Sequence, residues 1–136
     1  MERVTGIWLD LDRAYLYHLQ KGKNDFEIIA SEIEHYHLVG GSRSSTPYGP
    51  QEAVSEKKFL ERKKHQKNDY YKRVAQHITG SSQVVLMGPA ETKFELHDYL
   101  NMISEKDYTL HRPITLDSMT ENQIKAAVRD FYKQKR

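Results

Sequence analysis

The chain has 136 residues, with 21 Lys+Arg against 19 Asp+Glu and no cysteine. That length suits a single domain with its own hydrophobic core, and the missing thiols exclude disulfides, thiolate metal sites and cysteine nucleophiles. A net charge of +2 argues against binding polyanions over the whole surface, and no apolar run approaches the ~20 residues of a membrane span, so a cytoplasmic protein with no membrane partner is expected.

The first third reads as strands. Val4 to Leu9 and Ala14 to Leu19 are rich in β-branched and aromatic residues, with Asp10-Leu11-Asp12-Arg13 as a tight turn between them. Gln20 to Asp25 has the composition of a second turn. Phe26 to His37 alternates apolar and polar residues through Ile28, Ala30, Ile33 and Tyr36, as a half-exposed strand does. Three strands with short links predict an antiparallel meander.

The segment 39–50 is dominated by Gly, Pro and Ser, a composition that excludes helix and ladder and marks a functional loop. Gln51 to Ile78 follows as one long helix, with Leu60, Lys67, Tyr71, Val74 and Ile78 near one face and Gly80 as its C-terminal stop. Gln83 to Met87 is a continuous apolar run ending in Gly88-Pro89, the pattern of a parallel strand buried on both faces. Ala90 to Ile103 is a helix with Leu96, Tyr99, Leu100 and Ile103 inward, and Tyr108 to Ile114 a further strand. Thr120 and Gln123 open a last helix through a capping box, with Ile124, Val128 and Phe131 as its buried stripe. The order β-β-β-α-β-α-β-α with right-handed crossovers predicts a ribonuclease H-like α/β fold: a five-stranded mixed sheet with helices on both faces.

Charge is concentrated in one place. Between Lys57 and Arg73, eight basic residues (Lys57, Lys58, Arg62, Lys63, Lys64, Lys67, Lys72 and Arg73) face only Glu61 and Asp69, a local excess of +6. Tyr70, Tyr71 and His65 are interleaved with them, a mixture that suits phosphate contacts with base stacking, and Arg43 sits in the preceding loop. A solvated helix face would carry the same composition.

Hydrolytic chemistry finds less support. Two-metal phosphodiester cleavage needs converging carboxylates. Asp10 and Asp12 stand at the first strand and Glu52, Glu56 and Glu61 in the helix, but the fourth strand ends in Met87-Gly88-Pro89-Ala90, without an acid. Asp10 and Asp12 are equally turn formers. His35 and His37 share a strand face with no third metal ligand near them in sequence, and no Gly-x-Ser-x-Gly elbow occurs. Gly88-Pro89-Ala90 meets a helix N-terminus, which is either an anion site or a tight turn.

Three stretches carry a family resemblance: Gly40-Gly41-Ser42-Arg43, the basic run Lys64 to Ala75, and Val84 to Leu96 with its Gly88-Pro89 turn and Lys93. Together they resemble the middle domain of the archaeal and eukaryotic class I peptide-chain release factors and of Pelota. Ser42 stands where the release factors have the glutamine of their Gly-Gly-Gln loop, so the resemblance implies ribosome association without peptide release. It implies a non-catalytic module of the translation machinery, in rescue, hibernation or regulation, with no cofactor or metal. Its expected partners are ribosomal RNA or tRNA, with ribosomal proteins as further contacts, and not DNA. A metal-dependent phosphodiesterase using Asp10 and Asp12, or a protein-interaction module, are the readings from other classes.

Overall fold

The computed structural model describes residues 2–34, 50–103 and 106–134, with side chains of the long helix described from residue 56. The loop residues Gly40, Gly41, Ser42 and Arg43, the pair His35 and His37, and the Glu52 side chain lie outside these.

The meander forms from β1 (Arg3–Leu9), β2 (Arg13–Gln20) and β3 (Lys23–Ala30). β1 and β2 are antiparallel with Leu9 opposite Ala14, and β2 and β3 are antiparallel with Gln20 opposite Lys23. The second turn is therefore only Lys21-Gly22, not the six residues expected. Gly22 adopts a φ of +81°, the left-handed conformation that two-residue hairpins of this kind demand. β3 correspondingly starts earlier and ends earlier than the alternation predicts. Past Ala30, Glu32 turns to a φ of +59°, and the Arg73 guanidinium takes the carbonyls of Ala30 and Ser31, each at 2.8 Å. Ala30 already lies opposite Arg13, the first residue of β2, so the ladder has no strand residue to pair with beyond it.

The long helix, α1 (Pro50–His77), opens on a proline and is followed by Gly80 at a φ of +93°. β4 (Gln83–Gly88) then lies parallel to β1, Val4 opposite Gln83. α2 (Thr92–Met102) leads to two short strands, β5 (Thr109–Leu110) and β6 (Ile114–Thr115), each parallel to β4. The single strand expected here is thus split and the sheet has six strands, because Pro113 cannot donate to the ladder. α3 (Glu121–Gln134) is entered through the expected box: Thr120 N–H donates to Gln123 Oε1 at 2.9 Å and Gln123 N–H to Thr120 Oγ1 at 3.2 Å. The sheet order is β3-β2-β1-β4-β5, with β6 also on β4. No helix among the described residues is long and apolar enough to cross a membrane.

The pleat of β1 and β4 sends alternate side chains to two cores. Ile7, Leu9, Val84 and Leu86 pack with Tyr70, Tyr71, Val74 and Ile78 of α1 and Leu96 and Leu100 of α2. Trp8, Val85 and Met87 pack with Ile124, Val128 and Tyr132 of α3 on the other face. Phe131, expected in that stripe, lies partly buried beside it and Tyr132 goes in, with its hydroxyl donating to Thr5 O at 2.6 Å. In α1 the stripe includes Phe59, 7% exposed, whereas Leu60 is 56% exposed. Phe59 thus takes the place in the buried line that the pattern gives to Leu60.

Candidate nucleic-acid interface on the long helix

The sheet divides the basic residues of α1 into two kinds. Arg62, Lys67 and Arg73 are committed to partners. Arg62 grips the Glu34 carboxylate with Nε and a terminal nitrogen, both at 3.0 Å, and Gln66 completes the clamp by donating to Glu34 Oε2 at 3.0 Å and accepting from Glu34 N–H at 2.9 Å. The hydrogen bonds from Arg62 hold the Glu34 carboxyl below its usual pKa. Lys67 reaches Glu95 of α2 at 3.3 Å. Arg73, besides its two carbonyls, approaches Glu32 at 3.9 Å. These side chains fasten the helix to β3 and α2.

Lys57, Lys58, Lys64 and Lys72 are exposed and Lys63 is half-buried. Among the described residues none of these five lysines forms an ion pair. Seven-residue spacing sets Lys57 and Lys64 on one line of the helix and Lys58, His65 and Lys72 on the next, with about 10 Å between successive charges of a line. The outward face also carries Glu56, Glu61 and Asp69. The segment's excess of +6 is reduced by the three carboxylates that reach it from outside, Glu32, Glu34 and Glu95, leaving +3.

Of the three expected stacking residues His65 is exposed, but both tyrosines are withdrawn from this surface. Tyr70 is 0% and Tyr71 4% exposed. Tyr70 donates to Asp10 O at 3.0 Å and Tyr71 to Glu95 Oε1 at 2.7 Å. Tyr70, counted among the RNA-binding residues on sequence, is a core residue: its ring completes the contact between α1 and the β1–β2 turn, so no base can reach it. Nothing in the 3.6-residue periodicity separates an aromatic that binds from one that packs.

Asp10, the first carboxylate of the hydrolytic reading, has a structural role. Asp10 Oδ1 accepts from the N–H groups of Asp12 (2.8 Å) and Arg13 (3.0 Å), which makes it the organiser of the β1–β2 turn. Among the described residues no group of three or more His, Cys, Asp or Glu could hold a metal ion. At the β4–α2 junction, Gly88 allows the chain to pass the Leu9 carbonyl, and the buried Lys93 spends its ammonium on Ala90 O at 2.6 Å and on the face of Phe94, 4.4 Å from the ring centre.

A polar chain that sequence reasoning missed runs through the sheet. Arg3 donates to Ser81 Oγ at 3.3 Å, and Ser81 and Thr5 hydroxyls meet at 2.7 Å. Thr5 Oγ1 lies 2.8 Å from His18 Nδ1, His18 Nε2 lies 2.7 Å from Glu27 Oε2, and Glu27 Oε1 lies 2.8 Å from His77 Nδ1. A carboxylate only accepts, so His18 carries its proton on Nε2 and Thr5 donates to Nδ1. The hydroxyl–imidazole–carboxylate sequence has the order of a nucleophilic triad, but Thr5 is 0% and Ser81 2% exposed, so no substrate carbon can approach either hydroxyl. The chain pins β1 to β2, β3 and the end of α1.

Burial holds the His18 imidazole below its usual pKa, against the opposing hydrogen bond with Glu27. Burial pushes Glu27 up, but hydrogen bonds with His18 and His77 outweigh it and leave its pKa lowered. Both shifts act in one direction. A histidine depressed on folding contributes stability above its unfolded value of ~6.5 and loses it as pH falls below that value; Glu27 adds a second loss below ~4.5. The urea midpoint is therefore expected to fall on acidification from pH 7.5 to 5.5, and His18→Gln to flatten that limb. A wild-type midpoint independent of pH over this range would refute the assignment.

No protein-family model matches the chain, and no curated protein matches it in sequence. Among solved structures it is similar to the crystal structure of an archaeal translation termination factor, aRF1, with a TM-score of 0.50 and 14% sequence identity, over 93% of this chain and 33% of that one. The chain thus spans about a third of that factor's length, and the likeness is one of fold.

Proposed function

We propose that the chain is a ribonuclease H-like domain of the release-factor middle-domain and Pelota type, acting as a non-catalytic module that docks on ribosomal or transfer RNA. The observation that carries this reading is the double line of exposed lysines on α1, Lys57, Lys58, Lys64 and Lys72 with Lys63 beside them, none paired among the described residues. Unpaired ammonium groups on a rigid helix release counterions when they meet phosphates. Arg62, Lys67 and Arg73 present the helix, whereas Arg43 and the Gly40-Gly41-Ser42 segment would enter a groove of the RNA from the loop before it. The fold shared with one third of a translation termination factor supports the choice of the translation machinery, and Ser42 in place of glutamine favours binding over peptide release.

Sedimentation of the tagged protein with ribosomes in lysate, at low and moderate salt, tests this. Co-migration with a ribosomal subunit or the whole ribosome that weakens with salt is expected. Protein that remains at the top of the gradient at both salts would sink the proposal.

A further inference from the structure

α3 buries Ile124, Val128 and Tyr132 against the sheet face opposite α1. Its outer side carries Lys125, Arg129 and Lys133, four residues apart and therefore about 6 Å apart along one line. Lys125 is held over the Phe26 ring, 4.7 Å from its centre. Arg129 and Lys133 instead reach the rim of a groove of about 970 Å³, and Lys21 of the β2–β3 hairpin stands on the same rim. Half-buried Val4 and Leu19, together with Tyr132, belong to the groove lining. Glu2 is the only acid among the described lining residues, and its carboxylate accepts from Ser82 Oγ at 3.0 Å.

An apolar patch of Val4, Leu19 and Tyr132, set among Gln20, Asn24 and Gln83 and flanked by Lys21, Arg129 and Lys133, is complementary to a ligand that carries both apolar and anionic groups. Single-stranded RNA meets the second requirement, but its bases need an exposed ring face to stack on. The aromatic residue lining the groove, Tyr132, is 8% exposed and its hydroxyl is committed to Thr5 O. The aliphatic Val4 and Leu19 instead suit an apolar side chain. We propose that this groove binds an acidic peptide segment of a partner protein, which seats an apolar side chain on Val4 and Leu19 and sets carboxylates against Lys21, Arg129 and Lys133. The site is independent of the α1 lysines and would let one molecule hold RNA on one face of its sheet and a protein on the other.

The probe is a short synthetic peptide alternating leucine with aspartate, compared with its twin carrying asparagine for aspartate, titrated into isotope-labelled protein. Saturable shifts at the amides of Val4, Leu19, Gln83 and Tyr132 are expected with the acidic peptide. The Arg129→Glu/Lys133→Glu variant should bind about tenfold or more weakly, and so should Lys21→Glu, which changes a different element and leaves α3 intact. Lys58→Ala/Lys64→Ala should bind as the parent does. Equal affinity for the two peptides, or shifts confined to α1, would overturn the proposal. Oligouridylate shifting the groove amides where the peptide does not would overturn it too, and would make the groove a nucleic-acid surface.

Discussion

Gly88→Ala is expected to cost about 3 kcal/mol or more of folding stability. A Cβ on Gly88 would lie 2.4 Å from the carbonyl oxygen of Leu9, on the backbone of the neighbouring parallel strand. A backbone atom at the end of a central strand has no rotamer to escape into, so the ends of β1 and β4 would have to part. Gly88 also pairs with Thr115 of β6, and its own carbonyl accepts from Leu116 N–H at 2.9 Å, so a shift of β4 propagates into the last strand. Gly6 makes the informative contrast. Its Cβ would meet Val128 Cγ2 at 2.4 Å and Cγ1 at 2.7 Å, which are side-chain atoms of α3. Gly6→Ala should therefore cost about 1–3 kcal/mol, and adding Val128→Ala should return part of that loss in a double-mutant cycle. No truncation rescues Gly88→Ala. Urea unfolding of the variants measures all three, and a Gly88→Ala protein within about 1 kcal/mol of the parent would show that the two strands do not approach as described.

The second large effect is on binding. If α1 is the RNA-contacting helix, replacing Lys57, Lys58, Lys64 and Lys72 together by glutamine should lower RNA affinity by about a hundredfold or more at low salt. It should also make the salt dependence shallower by about three powers, since each lost phosphate contact removes about 0.7–0.9 from the slope. These side chains are exposed and unpaired among the described residues, so the melting temperature should barely move. Replacing Arg62, Lys67 and Arg73 should do the reverse. The Glu34 clamp, the Glu95 pair and the carbonyls of Ala30 and Ser31 lose their partners, which lowers stability while the slope stays nearly unchanged. Equal effects of the two sets on the slope would remove the distinction between presenting and contacting residues. The midpoint of thermal unfolding and a binding titration at several salts separate the outcomes.

The sequence was most legible where a rule is local. The Thr120–Gln123 box, the Gly80 stop and the apolar run of β4 depend on neighbours in the chain, and each appears where its pattern stands. Legibility failed where a distant residue decided the matter. β3 ends at Ala30, opposite the first residue of β2, and Arg73, forty-three positions later, holds the chain there by the carbonyls of Ala30 and Ser31; alternation through Ile33 and Tyr36 gives no sign of that. Tyr70 and Lys72 look alike as members of a basic-aromatic run, but one is buried against the β1–β2 turn and the other faces water. The same lack of tertiary information hid the pairing of Arg62 and Lys67, so paired and unpaired cations of α1 could not be told apart in the sequence. The polar chain from Arg3 to His77 was invisible because its members come from β1, β2, β3 and the segment around α1's end, with no shared motif.

The two-sided core has a consequence for how the domain comes into being. Trp8, Tyr17 and Phe26 belong to a meander that is complete within the first thirty residues, but the residues that cover that face, Ile124, Val128 and Tyr132, come a hundred positions later. During vectorial synthesis the meander, α1, β4 and α2 can assemble one half of the core while the other sheet face stays greasy and open. A ribosome adding ~5–20 residues per second leaves that face uncovered for several seconds. The domain is therefore most exposed to aggregation late in its synthesis, just before its final helix closes.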